Sequence, residues 1–399
     1  MENPEVESGI DVLRLFSEDL ANVDRISLFR QAAEQLRGDI KELTTRKNVN
    51  QINKNYAIHT VFNRHANSID AGQSIRETED PFITFVEGAE ATDIHQDVQF
   101  SQSVRNSFEM RFNNAVPELP SFQLTPDNEF GYWEYRGLLA KSSIVAPIDI
   151  RYYAARMLDA LIGDRYSQDY LSQRIGMQAF DEFSSEELVE RALNKGKLIM
   201  HSNAVRELTS VKQVVETLLV LEDPDILNDK FSPEISKKIT AIKEDAKKSN
   251  AKLPVYVFYG TEHHGFSHEL TTRKINVTRS FPGSVEYPRG YKYTGNATSP
   301  FFNGHHFDLS DEQLDSHARA YVLESLLLLP MIMQSYYGLV LPTNNGQDQR
   351  NIWAKISLIA RNKKLQKDLP NLVDSFRNDK SVPVQILGQF GIKLHDIAE

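Results

Sequence analysis

The 399-residue chain contains no cysteine. That absence excludes disulfides, thiolate nucleophiles, cysteine-held zinc and iron–sulfur clusters, so any bound metal must rest on histidine and carboxylate ligands. Positive charge is also in deficit: 45 Lys and Arg against 55 Asp and Glu leave a net charge of −10. A nucleic-acid binder needs a basic face to displace counterions, and no such patch stands out, so no nucleic-acid partner is expected. The longest basic stretch, Arg361 to Lys367, reads as the solvated face of a helix. The start, MENPEVESGIDVL, is acidic and lacks the basic-then-apolar pattern of a secretory leader, so a cytoplasmic location is expected. Long apolar runs are scarce. Ala320 to Pro342 comes nearest to a membrane span, with Glu324 as its one charge, and reads instead as a buried core helix broken at Pro330. Four common signatures are missing: the G-x-S-x-G elbow, the P-loop, G-x-G-x-x-G after a strand, and H-E-x-x-H.

What is present suits a globular chain, with 40% hydrophobic and 25% charged residues. Residues 1–50 read as two helices, their apolar positions (Leu28, Phe29, Ala32, Ala33, Leu36, Ile40 and Leu43 in the second) recurring at helical spacing. Four short apolar runs follow: Tyr56–Val61, Phe82–Val86, Ser143–Ile148 and Val255–Tyr259. Near-continuous runs of this length suit strands buried on both faces of a parallel or mixed sheet. Helical patterns lie between them at Ile150–Ile162, Glu186–Leu193, Val211–Leu221 and Lys237–Asn250, and again at Phe266–Arg273. The expected fold is α/β: a mixed or parallel central sheet with flanking helices, a helical insertion, and helical N- and C-terminal extensions. The expected boundaries are 1–50 for the N-terminal extension, 51–310 for the core with its insertion at about 155–250, and 311–399 for the C-terminal helical region. Ser310 and Gln313 have capping-box spacing at the start of that last region.

Three of these strands run straight into titratable residues: His65, Glu87, and the run Glu262-His263-His264. In open α/β sheets ligands bind beyond the carboxyl ends of the strands, where residues far apart in sequence converge. A His and a carboxylate facing each other there can act as acid and base on water, or can hold a divalent metal. Gly260 lets the backbone turn sharply at the end of the fourth strand. His264 and His268 would lie four apart on one helix face, a pair of ligands. Taken singly, a His at a strand end is more often a hydrogen-bonded loop residue than a catalyst, Glu87 could cap a helix starting near Thr92, and His305-His306 is read as a loop pair. The Gly- and Pro-containing stretch 281–302 carries Phe281, Tyr287, Tyr291, Tyr293, Phe301 and Phe302 and reads as an irregular aromatic loop over the site.

Gly260-Thr261-Glu262-His263, an apolar strand followed by Gly-x-x-His, resembles the second signature of the superfamily of TraB/PrgY, TIKI, erythromycin esterase and ChaN-like proteins. Phe82-Ile83-Thr84-Phe85-Val86-Glu87 is similar to that group's strand ending in a functional Glu, and His65 to its first His. Arg136-Gly137-Leu138-Leu139, with the strand that ends at Asp149, looks like the region that follows. Phe62 stands where the first signature has glycine, so that motif is degenerate. The resemblance covers roughly residues 55–290 and leaves both helical ends aside. It implies hydrolysis or sequestration of a small or peptide-like ligand. TIKI-like members do this with a metal, and the esterases with a His/Glu arrangement.

The expectation is therefore a hydrolase, esterase- or peptidase-like, in which His65, Glu87 and His263 activate water. Arg64, Glu262, His264 and Asp149 are the expected substrate-binding positions, and His65, Glu87, His263 and His264 the candidate ligands of a divalent metal. The expected partner is a small-molecule or peptide-like ligand, without membrane attachment. The alternatives are a non-catalytic binding protein on the same scaffold, consistent with the degenerate first motif, or an interaction protein that works through its helical ends.

Overall fold

A computed structural model describes residues 25–63, 82–87, 144–148, 184–230, 233–260, 263–280, 285–286, 292–293, 305–332, 339–340, 352, 355–379, 381–392 and 395–396. In chain order the first elements are α1 (Arg25–Leu43), α2 (Arg46–Asn55), β1 (Tyr56–Asn63), β2 (Ile83–Glu87) and β3 (Ile144–Ile148). Then come α3 (Ser185–Glu222), α4 (Pro224–Lys230), α5 (Pro233–Lys248), β4 (Leu253–Gly260), α6 (His264–Thr272) and β5 (Val277–Ser280). The last are the ribbon β6 (Val285–Glu286) and β7 (Lys292–Tyr293), α7 (Asp311–Ile332), β8 (Leu339–Val340), α8 (Lys363–Lys367), α9 (Leu369–Asn378), α10 (Val382–Gln389) and β9 (His395–Asp396). The protein is α/β, with a parallel sheet flanked by helices.

All four strands expected from the apolar runs form, and a fifth joins them in the order β3-β2-β4-β1-β5. Every pairing in this sheet is parallel. β5 (Val277-Thr278-Arg279-Ser280) was missed in sequence because it is a short edge strand, exposed from Thr278 to Ser280, so it carries no apolar run. The two helical patterns at 186–193 and 211–221 are one 38-residue helix, α3. Polar groups interrupt the apolar pattern between the two, yet most of those groups are buried.

The order of strands sets where a site can lie. β2 is followed in the chain by β3, on one side of it, whereas the neighbouring β4 is followed by β5, on the other side. Two adjacent strands whose continuations leave in opposite directions define a topological switch point, with a crevice beyond their carboxyl ends. The register places those ends together: Val86 pairs with Phe258, and on the far side of β4, Asn63 of β1 pairs with Gly260.

The chain divides into two compact units, Met1–Met157 with Asn203–Gly283, and Leu158–Ser202 with Ser284–Glu399. In the first, side chains alternate across the strands, so Ile58 and Phe62 share one sheet face with Val255, Val257 and Tyr259, all buried. The second half of α3 meets that face: Tyr56 Oη donates to Leu218 O at 3.5 Å, and Val211, Val214, Val215 and Leu218 are buried. α1 buries Phe29, Ala32, Ala33, Leu36 and Ile40, the stripe expected from spacing. Glu222, at the end of α3, accepts hydrogen bonds from Gln51, Asn55 and Tyr56 and pairs with Lys243.

The second unit is a helical core in which Leu188, Leu193 and Met200 of α3 join Leu323, Leu326 and Leu327 of α7 and Val373 and Phe376 of α9. The capping box at the start of α7 is reciprocal: Ser310 N donates to Gln313 Oε1 at 3.0 Å, and Gln313 N to Ser310 Oγ at 3.3 Å. α7 does not break at Pro330 but runs on to Ile332. A proline this close to a helix end removes only a final-turn hydrogen bond. Glu324, the one charge of the apolar stretch that begins at Ala320, is buried and accepts a hydrogen bond from Ser357. Among the described residues no helix is long and apolar enough to cross a membrane. Arg361 departs from the expected solvated face: burial lowers its pKa to about 10 against the opposing pull of Glu324. Lys363, Lys364 and Lys367 do stay exposed.

Gly196 lies within α3 and is buried, and a Cβ there would sit 3.7 Å from Ala318 Cβ and Tyr321 Cδ1, ordinary contact distances. Gly196→Ala is expected to stabilise the helix by about 0.5–1 kcal/mol, because alanine loses less backbone entropy. A rise in thermal midpoint measures it, and a fall would show that the site cannot take a methyl group.

Candidate functional site

β4 ends at Gly260, and the chain turns at once: His263 N donates to Gly260 O at 3.0 Å, and α6 starts at His264. This tight strand–turn–helix buries both histidines. Aromatic residues in register on neighbouring strands hold them. Phe62 of β1 pairs with Tyr259 of β4 in the ladder. Phe62 stacks on His264 with ring centroids 5.0 Å apart, and Tyr259 stacks on His263 at 4.3 Å with 15° between the planes. Phe62, which stands at the resemblance's glycine position, thus has a packing role. Phe266 meets the Tyr259 ring edge-on at 5.4 Å.

A second contribution comes from α3. Asn203, Arg206, Glu207 and Ser210 follow one another at spacings of three, one and three, which puts them on one helix face, and all four are buried. Ser210 Oγ and Tyr259 Oη are hydrogen-bonded at 2.9 Å. Glu207 Oε1 lies 3.8 Å from His263 Nδ1, within ion-pair range of a protonated imidazole. Sequence reading missed Glu207, Ser210 and Tyr259. The available signal was the run of His201, Ser202, Asn203, Arg206, Glu207 and Ser210 at helical spacing between two strongly apolar stretches. Polar groups on the inner face of an apolar helix need partners, which marks such a face as a place to look.

Of the residues expected at the site, His263 and His264 are described in full, and β4 and α6 bring them to the carboxyl edge of the sheet. Glu87 ends β2, the neighbour of β4, with only its backbone described. His65, Arg64, Asp149 and Glu262 lie outside the described residues. So does most of the aromatic stretch 281–302, apart from the ribbon β6–β7. Among the described residues no three His, Asp or Glu groups converge to hold a metal. His268, one turn beyond His264, is half-buried. His305 is buried and stacks on Phe307 at 5.1 Å, as does His201 at 6.4 Å, all within the second unit. His59, on the opposite face of β1, hydrogen-bonds Thr278 Oγ1 at 2.6 Å and stacks on Tyr256, and burial lowers its pKa.

Comparison with protein-family models, curated proteins and solved structures finds no match to this chain.

Proposed function

We propose that this protein is a hydrolase-like α/β protein that activates water at the carboxyl edge of its sheet, beyond β2 and β4. One observation carries the proposal: Glu87 ends one strand of a topological switch point and His263 follows the other. In the reaction His263 takes a proton from water, and the hydroxide oxygen forms a bond to the carbonyl carbon of an ester or amide. As the bond to the leaving group breaks, the leaving oxygen or nitrogen takes that proton back from His263. Glu87 orients the water or stabilises the charge that develops. His65 shares the water-activating role, and Arg64, Glu262, His264 and Asp149, which follow strand ends of the same sheet, would bind a small or peptide-like substrate. Alternatively, a divalent ion held by His65, Glu87, His263 and His264 would supply hydroxide by lowering the pKa of bound water, in place of His263 as base. The resemblance to the TraB, TIKI and erythromycin esterase group supports the same chemistry.

A panel of p-nitrophenyl esters and peptide amides tests it. Turnover by the full chain, reduced about 100-fold or more in Glu87→Gln, is the expected result. A Glu87→Gln rate equal to that of the unaltered protein would overturn the role of Glu87. A binding protein without turnover is the second reading, and the closure around His263, which is 3% exposed, favours it. In that case the panel ligands bind and no product forms.

A further inference from the structure

We infer that Glu207 is the positioning residue of His263: its carboxylate holds the imidazole proton on Nδ1 and so leaves Nε2 as the nitrogen that accepts the proton of water. The inference rests on the reading of His263 as general base. Glu207 approaches from α3, a different element from the strands that carry the expected site, and its Oε1 lies 3.8 Å from Nδ1. Both side chains are buried, with Glu207 1% and His263 3% exposed. A carboxylate taken out of water is costly unless a donor or a cation faces it. At 3.8 Å the two atoms stand beyond hydrogen-bond length, and an Nδ1–H would donate to this oxygen once the contact tightens on substrate binding. A neutral imidazole has one protonated and one bare nitrogen, and the neighbour of one fixes the role of the other.

The ring is held in plane as well as in tautomer. Tyr259 lies parallel to it at 4.3 Å, within 15°, and the Tyr259 hydroxyl is tied to Ser210 Oγ at 2.9 Å. Ser210 is three residues beyond Glu207, so the same helix face fixes both the carboxylate and the stacking ring. Water gives its proton to Nε2, the hydroxide oxygen bonds to the carbonyl carbon, and the leaving group departs with that proton. Glu207 neither gains nor loses a proton in the cycle.

Nitrogen-15 NMR of the histidine-labelled full chain at pH 7 tests this, with the His263 signals assigned by their loss in His263→Ala. The expected spectrum has a protonated Nδ1 and a bare Nε2. Glu207→Leu, which removes the acceptor, is expected to lose that tautomer and to lower kcat about 10–1,000-fold with KM little changed. Glu207→Gln keeps a carbonyl acceptor in the same volume and should retain part of the tautomer, so the test survives if the leucine variant fails to fold. A protonated Nε2 in the unaltered protein, or an unchanged tautomer in both variants, overturns the inference. Loss of turnover in His263→Ala with a tautomer indifferent to Glu207 defeats the positioning role alone. A tautomer that follows Glu207, with full turnover in His263→Ala, defeats the general-base reading and leaves the contact standing.

Discussion

Replacing His263 by alanine is expected to lower turnover about 100- to 10,000-fold while the protein stays folded, because a positioned general base contributes that much. Tyr259 keeps its place in the variant, tied to Ser210 and packed edge-on by Phe266. His264→Ala provides the contrast. Its ring stacks on Phe62 in the buried start of α6, so its loss should cost about 1–2 kcal/mol of stability, with a smaller effect on rate. Circular dichroism and urea unfolding separate the two outcomes. A His263→Ala protein that unfolds as readily as His264→Ala, and turns over normally when folded, would make His263 a packing residue.

Glu222→Ala is expected to destabilise the protein by about 1–3 kcal/mol, the cost of unpairing the donors around a half-buried carboxylate. Lys243 Nζ is 2.9 Å from Oε1, Tyr56 Oη donates to the same oxygen at 2.6 Å, and Asn55 and Gln51 donate to Oε2 at 2.7 and 3.1 Å. Burial alone would raise the carboxyl's pKa, but hydrogen bonds from Tyr56, Lys243 and Gln51 outweigh it and hold it below its ordinary value of 4.5. A carboxylate whose folded-state pKa is depressed stabilises fully above the unfolded value and loses that contribution as pH falls through the folded value. The urea midpoint of the unaltered protein should therefore fall below about pH 4.5, and Glu222→Ala should lack that part of the fall. An acid profile identical in the two proteins would assign the network no role in stability.

The sheet was legible because burial on both faces writes an apolar run into the chain, as at Phe82–Val86 and Val255–Tyr259. β5 wrote none, being short and exposed. The placement of Glu87 and His263 at strand ends was legible too, and the strand order brings β2 and β4 side by side. What sequence spacing could not supply was the helix face that meets His263 and Tyr259. Glu207 and Ser210 sit in the middle of α3, where a polar residue looks like solvent-facing surface until the helix is seen against the sheet. Pairing across 56 positions, from Glu207 to His263, leaves no local pattern. The same blindness hid Arg361, whose guanidinium reads as one more surface charge beside Lys363 and Lys364 until Glu324 is placed near it.

The most direct measurement is hydrolysis of the ester and amide panel in oxygen-18 water by the full chain and by the Glu87→Gln, His263→Ala double variant. Water activation at this edge of the sheet predicts one labelled oxygen in each acid product and loss of turnover in the double variant. Cleavage by the double variant at the rate of the unaltered protein would contradict it.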